Sequence, residues 1–130
     1  MRWQIRLCKA NKANINPGTL YALPIASSFN LGFGYYYKNN VGDVIVSFRI
    51  TNKNTLEVGQ DYVVATLPEG FRCKVEEWCG VVTHRSSGAV LPLILTTKSN
   101  GDVILYSPAM PGAGTSFYGF MVIPTALVYN

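Results

Sequence analysis

The sequence predicts an all-β fold, a compact antiparallel β-barrel or jelly-roll-like sandwich. Its 130 residues are enough for one domain with its own core and too few for two ordinary domains. Eight Tyr, six Phe and many Val, Ile and Thr favour strands, while twelve Gly and seven Pro supply turns. Short apolar runs bounded by turn residues recur along the chain, and this spacing is typical of sandwiches and barrels.

The first clear pair of strands is predicted between residues 29 and 51. In FNLGFGYYYK, strict alternation places one set of side chains on one face: Phe29, Leu31, Phe33, Tyr35 and Tyr37. The small residues of the other face leave room there. After the turn KNNVG, a second alternating run places Val44, Val46, Phe48 and Ile50 on one face, against Ser47, Arg49 and Thr51 on the other. A β-hairpin is the expected structure.

Five further strands are predicted in the second half: DYVVAT, WCGVVTH, AVLPLILTT, VILYS and a closing run that begins SFYGFMVIP. Asn100-Gly101 is the strongest hairpin signal in the chain. It predicts a type I′ turn, in which both central residues need positive φ.

The closing run is apolar on both faces. Phe117, Gly119, Met121 and Ile123 alternate with Tyr118, Phe120 and Val122. Such a strand is either central between two layers or pressed against another subunit. Only 14% of the residues are charged, which is low for a small monomer and favours self-association.

Residues 1–16 are predicted to be an N-terminal connecting segment and residues 17–130 a β-barrel head domain. The boundary follows from the polar stretch that ends at Pro17-Gly18. Residues Met1 to Cys8 alternate in a way that also allows a strand. Four of the eleven basic residues lie within the first twelve positions, which favours a solvated tail over a phosphate contact. We find no secretory signal and no membrane-spanning run, and expect no membrane insertion.

The three cysteines, Cys8, Cys73 and Cys79, favour free thiols over a disulfide framework because their number is odd. A pair between Cys73 and Cys79 remains open. No metal site and no cofactor are predicted, although Asp43, Asp61 and Asp102 could meet in space.

The sequence contains few groups of residues that could act together as nucleophile, acid and base, and we expect no enzymatic activity. Glu76 and Glu77 are adjacent, so on a strand they point to opposite faces. Cys79 and His84 are five positions apart, again on opposite faces, with no orienting acid evident. GFGYYY has no interleaved Lys or Arg, so it predicts a core strand and no nucleic-acid platform.

The remaining polar and aromatic residues are those of a saccharide-binding site. Aromatic faces stack on the C–H side of sugars, while charged and planar polar groups bind the hydroxyls. The candidate contacts are Trp78, His84, Arg85, Asp102, Tyr106 and Tyr118, with Arg72 as a further candidate. Structural alternatives stay open: Trp78 in the core, His84 as a surface or satisfied residue, and Arg72 as a partner of Glu69 or Glu76.

The corner LPEGFR after the DYVVAT strand has a predicted structural role. Pro68 ends the ladder, Gly70 permits the reversal, and Phe71 re-enters the core. Binding by Arg72 is a second possibility.

Three motifs together resemble the receptor-binding head domains of tailed-phage baseplates and tail fibres, especially those of lactococcal phages. They are the corner Leu67, Pro68, Gly70, Phe71 and Arg72, the hairpin Asn100-Gly101-Asp102, and the closing strand 117–120. The resemblance covers roughly the last ninety residues. The sequence departs from the family at Cys73, where the corner usually has Pro, so a φ restraint is lost there.

The resemblance implies a β-barrel or jelly-roll-like head that forms a homotrimer and binds bacterial cell-wall polysaccharide, a saccharide or phosphosaccharide, without cleaving it. Such a protein is made in the host cytoplasm and belongs to the virion, in contact with other baseplate or tail proteins. The alternative is a structural tail or baseplate subunit that binds other virion proteins and no sugar. A small hydrolase acting through His84 is the third and weakest interpretation.

Overall fold

The structure, a computed structural model, describes residues 18–86, 89–107 and 112–125. Their regular elements are eight strands: β1 Tyr21–Ala22, β2 Phe29–Lys38, β3 Asp43–Asn52, β4 Gln60–Thr66, β5 Glu77–Ser86, β6 Ala89–Lys98, β7 Asp102–Ser107 and β8 Ser116–Pro124. The predicted all-β class is therefore confirmed. The described residues include no helix long and apolar enough to cross a membrane. The segment 1–16 and Cys8 lie outside the described residues.

The eight strands form one antiparallel sheet in the order β1-β2-β3-β8-β5-β6-β7-β4. The sheet curls until its two ends meet. Behind β1, the Ala26 N–H donates to the Val64 carbonyl at 2.9 Å, and the Thr66 N–H donates to the Pro24 carbonyl at 3.4 Å. An isolated antiparallel bridge joins Ile25 to Ala65 between these bonds. The sheet thus wraps around a single interior, which is the barrel-like architecture that the sequence predicts.

The interior is filled by alternate side chains of the central strands. On β3, the predicted inward set Val44, Val46, Phe48 and Ile50 is buried, as is the set Phe117, Met121 and Ile123 on β8. Gly119 of β8 faces the Phe48 ring so closely that a Cβ there would overlap it. The missing side chain of Gly119 therefore makes room for the largest inward ring of β3.

The predicted facing of β2 is wrong beyond Leu31. The pairing with β3 shifts register between Leu31 and Phe33, where the strand contains a β-bulge. Phe29 points inward, but after the bulge Gly34 and Tyr36 are the buried residues. Strict alternation could not find this change, because one extra residue moves every later side chain to the opposite face.

The hairpin at Asn100-Gly101 is confirmed, but its turn differs from the predicted type I′. The Gly101 N–H donates to the Lys98 carbonyl at 2.9 Å, so the turn begins one residue earlier than expected. Gly101 has φ +96°, and the connection between β6 and β7 is three residues long. A turn followed by a left-handed glycine is the usual form of such a loop.

The corner that follows β4 has the predicted structure. The Phe71 N–H donates to the Pro68 carbonyl at 3.2 Å, and Gly70 has φ +87°. Phe71 packs edge-on against Tyr36 and Tyr21, with ring centroids 5.0 and 5.5 Å away. The chain therefore reverses at Gly70 and returns to the barrel through an aromatic contact.

Cys73 is buried and Cys79 is exposed, and both thiols are free, so they do not form the disulfide that the sequence left open. The three acids Asp43, Asp61 and Asp102 do not meet either. Among the described residues, no group of three or more His, Cys, Asp or Glu side chains is placed to hold a metal ion.

The buried polar side chains of Asn52 and His84 differ in their hydrogen bonding. Asn52 donates to the carbonyls of Asn54 and Gly112 at 2.8 and 3.0 Å, and accepts from the Thr115 N–H at 2.9 Å. His84 is 5% exposed, and neither ring nitrogen has a hydrogen-bond partner among the described residues. Its ring lies 6.2 Å from that of Phe117. His84 is therefore not the surface residue that one alternative expected, and burial of polar atoms without partners costs stability.

We expect Gly101→Ala to lower the free energy of unfolding by about 2–4 kcal/mol, because two costs add. A positive φ disfavours alanine, and the new Cβ would overlap the Leu67 carbonyl oxygen and lie 2.6 Å from Arg72 Nε. Gly42→Ala is the matched control, since Gly42 has φ +91° with nothing within 4 Å of a Cβ, and should cost about 1–2 kcal/mol. Equal losses in urea unfolding would contradict the close approach at Gly101.

We expect His84→Leu to raise the free energy of unfolding by about 1–2 kcal/mol, because it removes two buried nitrogens without partners. Thr97→Val tests the same reasoning at an independent position, since the buried Thr97 hydroxyl also lacks a partner in the described part of the chain. Chemical denaturation at one protein concentration measures both variants. A loss of stability in His84→Leu would mean that the imidazole makes a favourable interaction in the folded protein.

Candidate functional site

The six predicted saccharide contacts do not form one cluster within the chain. Trp78 lies near the start of β5, half-buried against the core. Its indole N–H donates to the Val122 carbonyl at 2.8 Å, so the ring is fixed to the neighbouring strand β8. This placement agrees with the alternative that Trp78 belongs to the core.

His84 and Arg85 are consecutive on β5 and therefore point to opposite sides of the sheet. His84 is inside the barrel, while Arg85 is exposed. Their strand positions pair with Phe117 and Ser116, near the start of β8. A ligand on the outer surface could reach Arg85, whereas the His84 ring is shielded from it.

Asp102 lies at the start of β7, at the opposite end of the barrel from Arg85. It accepts hydrogen bonds from the Thr66 hydroxyl at 3.1 Å and from the Asn100 side-chain amide at 3.2 Å. The Asp102 N–H donates to Asn100 Oδ1 at 3.0 Å. The carboxylate therefore stabilises the hairpin turn, and its half-exposed position leaves room for a further contact.

Tyr106 and Tyr118 lie on the outer face of the sheet, on strands that are not neighbours. Tyr106 pairs with Ile94 and Asp61, and Tyr118 with Thr83 and Arg49. Tyr118 is 38% exposed, so its ring is available for stacking.

The outer face also carries a band of apolar side chains that crosses the middle strands. Cross-strand pairing places Tyr35, Ser47, Phe120, Val81, Ile94 and Tyr106 side by side, each on the next strand of the sheet. We call these six residues the outer row. Val81, Ile94 and Phe120 are 63%, 54% and 50% exposed. Of the two settings predicted for β8, a position between two layers is not seen among the described residues.

A second surface feature lies around the corner and was not found from the sequence. The end of β2, the corner, the β6–β7 turn and the residue after β8 meet around an open cleft of about 500 Å³. We call it the corner cleft. Its charged lining residues are Lys38, Glu69, Arg72 and Lys74. Lys38 and Arg72 are 34 positions apart in the sequence, so their spacing does not indicate that they line the same cleft.

Arg72 is held by the corner itself. Its Nε–H donates to the Leu67 carbonyl at 2.8 Å, while the Leu67 N–H donates to the Gly101 carbonyl at the same distance. The predicted alternative of an ion pair with Glu69 or Glu76 is wrong, because neither carboxylate is in contact with Arg72 in the described structure. The guanidinium is thereby fixed at the cleft.

Cys73 forms a buried part of the cleft lining. Burial raises the pKa of the Cys73 thiol, and hydrogen bonding to the backbone only partly offsets this. The thiol donates weakly to the carbonyls of Val75 and Thr97, at 3.4 and 3.6 Å. Cys73 is therefore a neutral thiol at pH 7 and adds no negative charge to the cleft.

Comparison with known proteins identifies the fold. Neither a protein-family model nor a curated protein matches the sequence. Among solved structures, the chain is similar to the head domain of the lactococcal phage bIL170, a receptor-binding domain, with a TM-score of 0.65 and 16% sequence identity. The similarity covers 83% of this chain and 98% of that domain. The resemblance predicted from the corner, the hairpin and the closing strand is thus confirmed, and this chain has the fold of a lactococcal phage receptor-binding head domain.

Proposed function

We propose that the chain is the head of a phage or prophage receptor-binding protein that attaches the virion to a saccharide of the bacterial cell surface. The fold carries this proposal, because the similarity spans nearly the whole of a known receptor-binding head domain. Such a head belongs to the tail tip or baseplate of the particle. Its role is adhesion and not catalysis.

The proposed functional unit is a homotrimer in which the outer row is covered by neighbouring copies of the chain. Val81, Ile94 and Phe120 are adjacent across three strands and lie largely in water in the single chain. A contiguous exposed apolar band is the usual mark of an interface. The low content of charged residues, 14%, agrees with a surface that is partly covered.

Saccharide contacts are proposed at the margins of that interface. Tyr118 and Tyr106 offer aromatic faces on the outer surface, and Arg85 is an exposed donor near the start of β8. Asp102 and Trp78 lie at the other end of the barrel, so they would contact a different part of an extended polymer. His84 is buried inside the barrel, so it is not among the contacts proposed here.

The alternative, a structural tail or baseplate subunit, uses the same exposed outer row in a different way. There, another virion protein covers Val81, Ile94 and Phe120, and no sugar binds. The two proposals differ in the stoichiometry of the purified chain and in binding to cell-wall polysaccharide.

We expect light scattering to show a trimer of the purified chain and Val81→Glu to convert it to a monomer, because a buried carboxylate at the interface would lack a partner. Val58→Glu is the matched control. Val58 is a similarly exposed valine, at 54% against 63%, in the loop before β4. A wild-type monomer, or equal effects of both variants, would contradict an interface at the outer row.

We expect the trimer to bind host cell-wall polysaccharide and to release no reducing ends from it. Arg85→Gln and Tyr118→Ala should each weaken binding about three- to tenfold, through loss of a charged hydrogen bond and of ring stacking, respectively. Lys53→Gln is the control for net charge, since Lys53 is exposed on the loop after β3.

Calorimetry or a polysaccharide pull-down measures this binding, after the mass of each variant has been checked. An intact wild-type trimer that binds isolated tail proteins but no polysaccharide would support the structural alternative. Turnover of the polymer, abolished by His84→Gln, would instead support the hydrolase.

A further inference from the structure

The corner cleft combines local positive charge with a volume suited to a small ligand. Its volume of about 500 Å³ falls within the range of small-molecule sites, roughly 300–1,000 Å³. Lys38, Arg72 and Lys74 line it, against the single carboxylate of Glu69. The positive charge is local, because the chain after position 12 has seven basic and seven acidic residues.

Two of the three cations, Lys38 and Arg72, are held in place without being neutralised by a described carboxylate. Lys38 Nζ lies 5.2 Å from the centre of the Phe71 ring, a cation–π contact. Arg72 is fixed through Nε, which leaves the donors of its two terminal nitrogens without a hydrogen-bond partner among the described residues. No described carboxylate forms an ion pair with Lys38, Arg72 or Lys74. Held and unneutralised cations are what an anion site requires.

We propose that the corner cleft is a binding site for an oxyanion, a phosphate or carboxylate group carried by a ligand of saccharide size. Arg72 and the two lysines would donate to the oxyanion. Ser99 and Thr125 also line the cleft. The Thr125 hydroxyl already donates to the Gly42 carbonyl at 2.7 Å, so the Ser99 hydroxyl is the one proposed to donate to the rest of the ligand. The volume exceeds what one small ion fills, which favours an anionic group attached to a larger polar body.

This site is separate from the outer row and from Arg85 and Tyr118, and it lies at the same end of the barrel as Asp102 and Trp78. The outer row crosses the middle of the strands, whereas the cleft lies beyond the ends of β2 and β8. The inference goes beyond the proposed function, and anion binding can be measured whether or not cell-wall polysaccharide binds.

The test is an NMR titration of the full ¹⁵N-labelled chain with inorganic phosphate at constant ionic strength, with sodium glucuronate and sodium chloride as parallel arms. We expect saturable shifts at the amides of residues 69–74 and 99–101. Phosphate and glucuronate distinguish the two oxyanion sources, and chloride reports general screening.

Three variants test whether the affinity changes in the direction that the charges of the cleft lining predict. Lys74→Gln should weaken binding about two- to fivefold, as expected for one partly exposed charge contact. Glu69→Gln should strengthen binding by a similar factor, because it removes the one negative charge of the lining. Lys53→Gln makes the same charge change far from the cleft and should leave the affinity within about twofold of the wild type.

Saturable binding of phosphate or glucuronate supports the site if Glu69→Gln binds more tightly and Lys74→Gln more weakly than the wild type. The anion that binds identifies the oxyanion group that the site takes. Shifts that stay linear, or that chloride reproduces, would overturn it. So would equal effects of Lys74→Gln and Lys53→Gln, because the attraction would then come from net charge alone. Each variant needs a wild-type-like spectrum without ligand, which substitution of exposed residues to Gln allows.

Discussion

The closure of the sheet between residues 24–26 and 64–66 is the constraint on which the rest of the structure depends. Two backbone hydrogen bonds and one bridge there join the chain behind β1 to β4, the last strand of the sheet. Closure covers two edges that would otherwise be open to pairing with other chains. It also divides every strand into one face that points inward and one that points outward. The apolar outer face of β8 is exposed for this reason, and the described residues form no second layer over it.

The corner joins the fold to the basic corner cleft. Leu67 is fully buried, and its two backbone groups bond to Gly101 and to the Arg72 side chain. One residue thus connects β4, the β6–β7 turn and the cleft. The LPEGFR motif ends a strand and turns the chain, and the same hydrogen bonds place a guanidinium where the other cations converge. An arginine there is both structural and available, because only its Nε–H is used by the fold.

Sequence patterns predicted the parts of the fold that depend on local alternation. The inward set of β3, the hairpin at Gly101 and the reversal at Gly70 all follow from residue type and spacing. The facing of β2 beyond Leu31 did not, because a bulge depends on how the partner strand pairs and leaves little trace in one sequence. The turn before Gly101 likewise differed, since Asn-Gly is compatible with more than one loop length.

The candidate site was harder to predict than the fold, for a physical reason. Residues that bind one ligand converge through strand order, and here β8 lies between β3 and β5, although it comes last in the chain. Neighbouring residue numbers therefore mislead: His84 and Arg85 are separated by the sheet itself. Conversely, Lys38 and Lys74 line the same cleft from distant segments. The segment EGFRCK contains three of the four charged lining residues. The fourth, Lys38, joins them only in the folded sheet.

The positions of the outer row and the corner cleft are compatible with a multivalent adhesin. In the proposed trimer, the row is covered while the clefts, which lie beyond the strand ends, stay open to solvent. Each cleft is partly exposed and screened by salt, so a single oxyanion contact would be weak. Three copies held rigidly together convert such contacts into tight attachment to a repeating polymer without any new interaction. A cleft with low intrinsic affinity is therefore no obstacle to adhesion, provided that the polymer presents its anionic groups at intervals that the trimer can span.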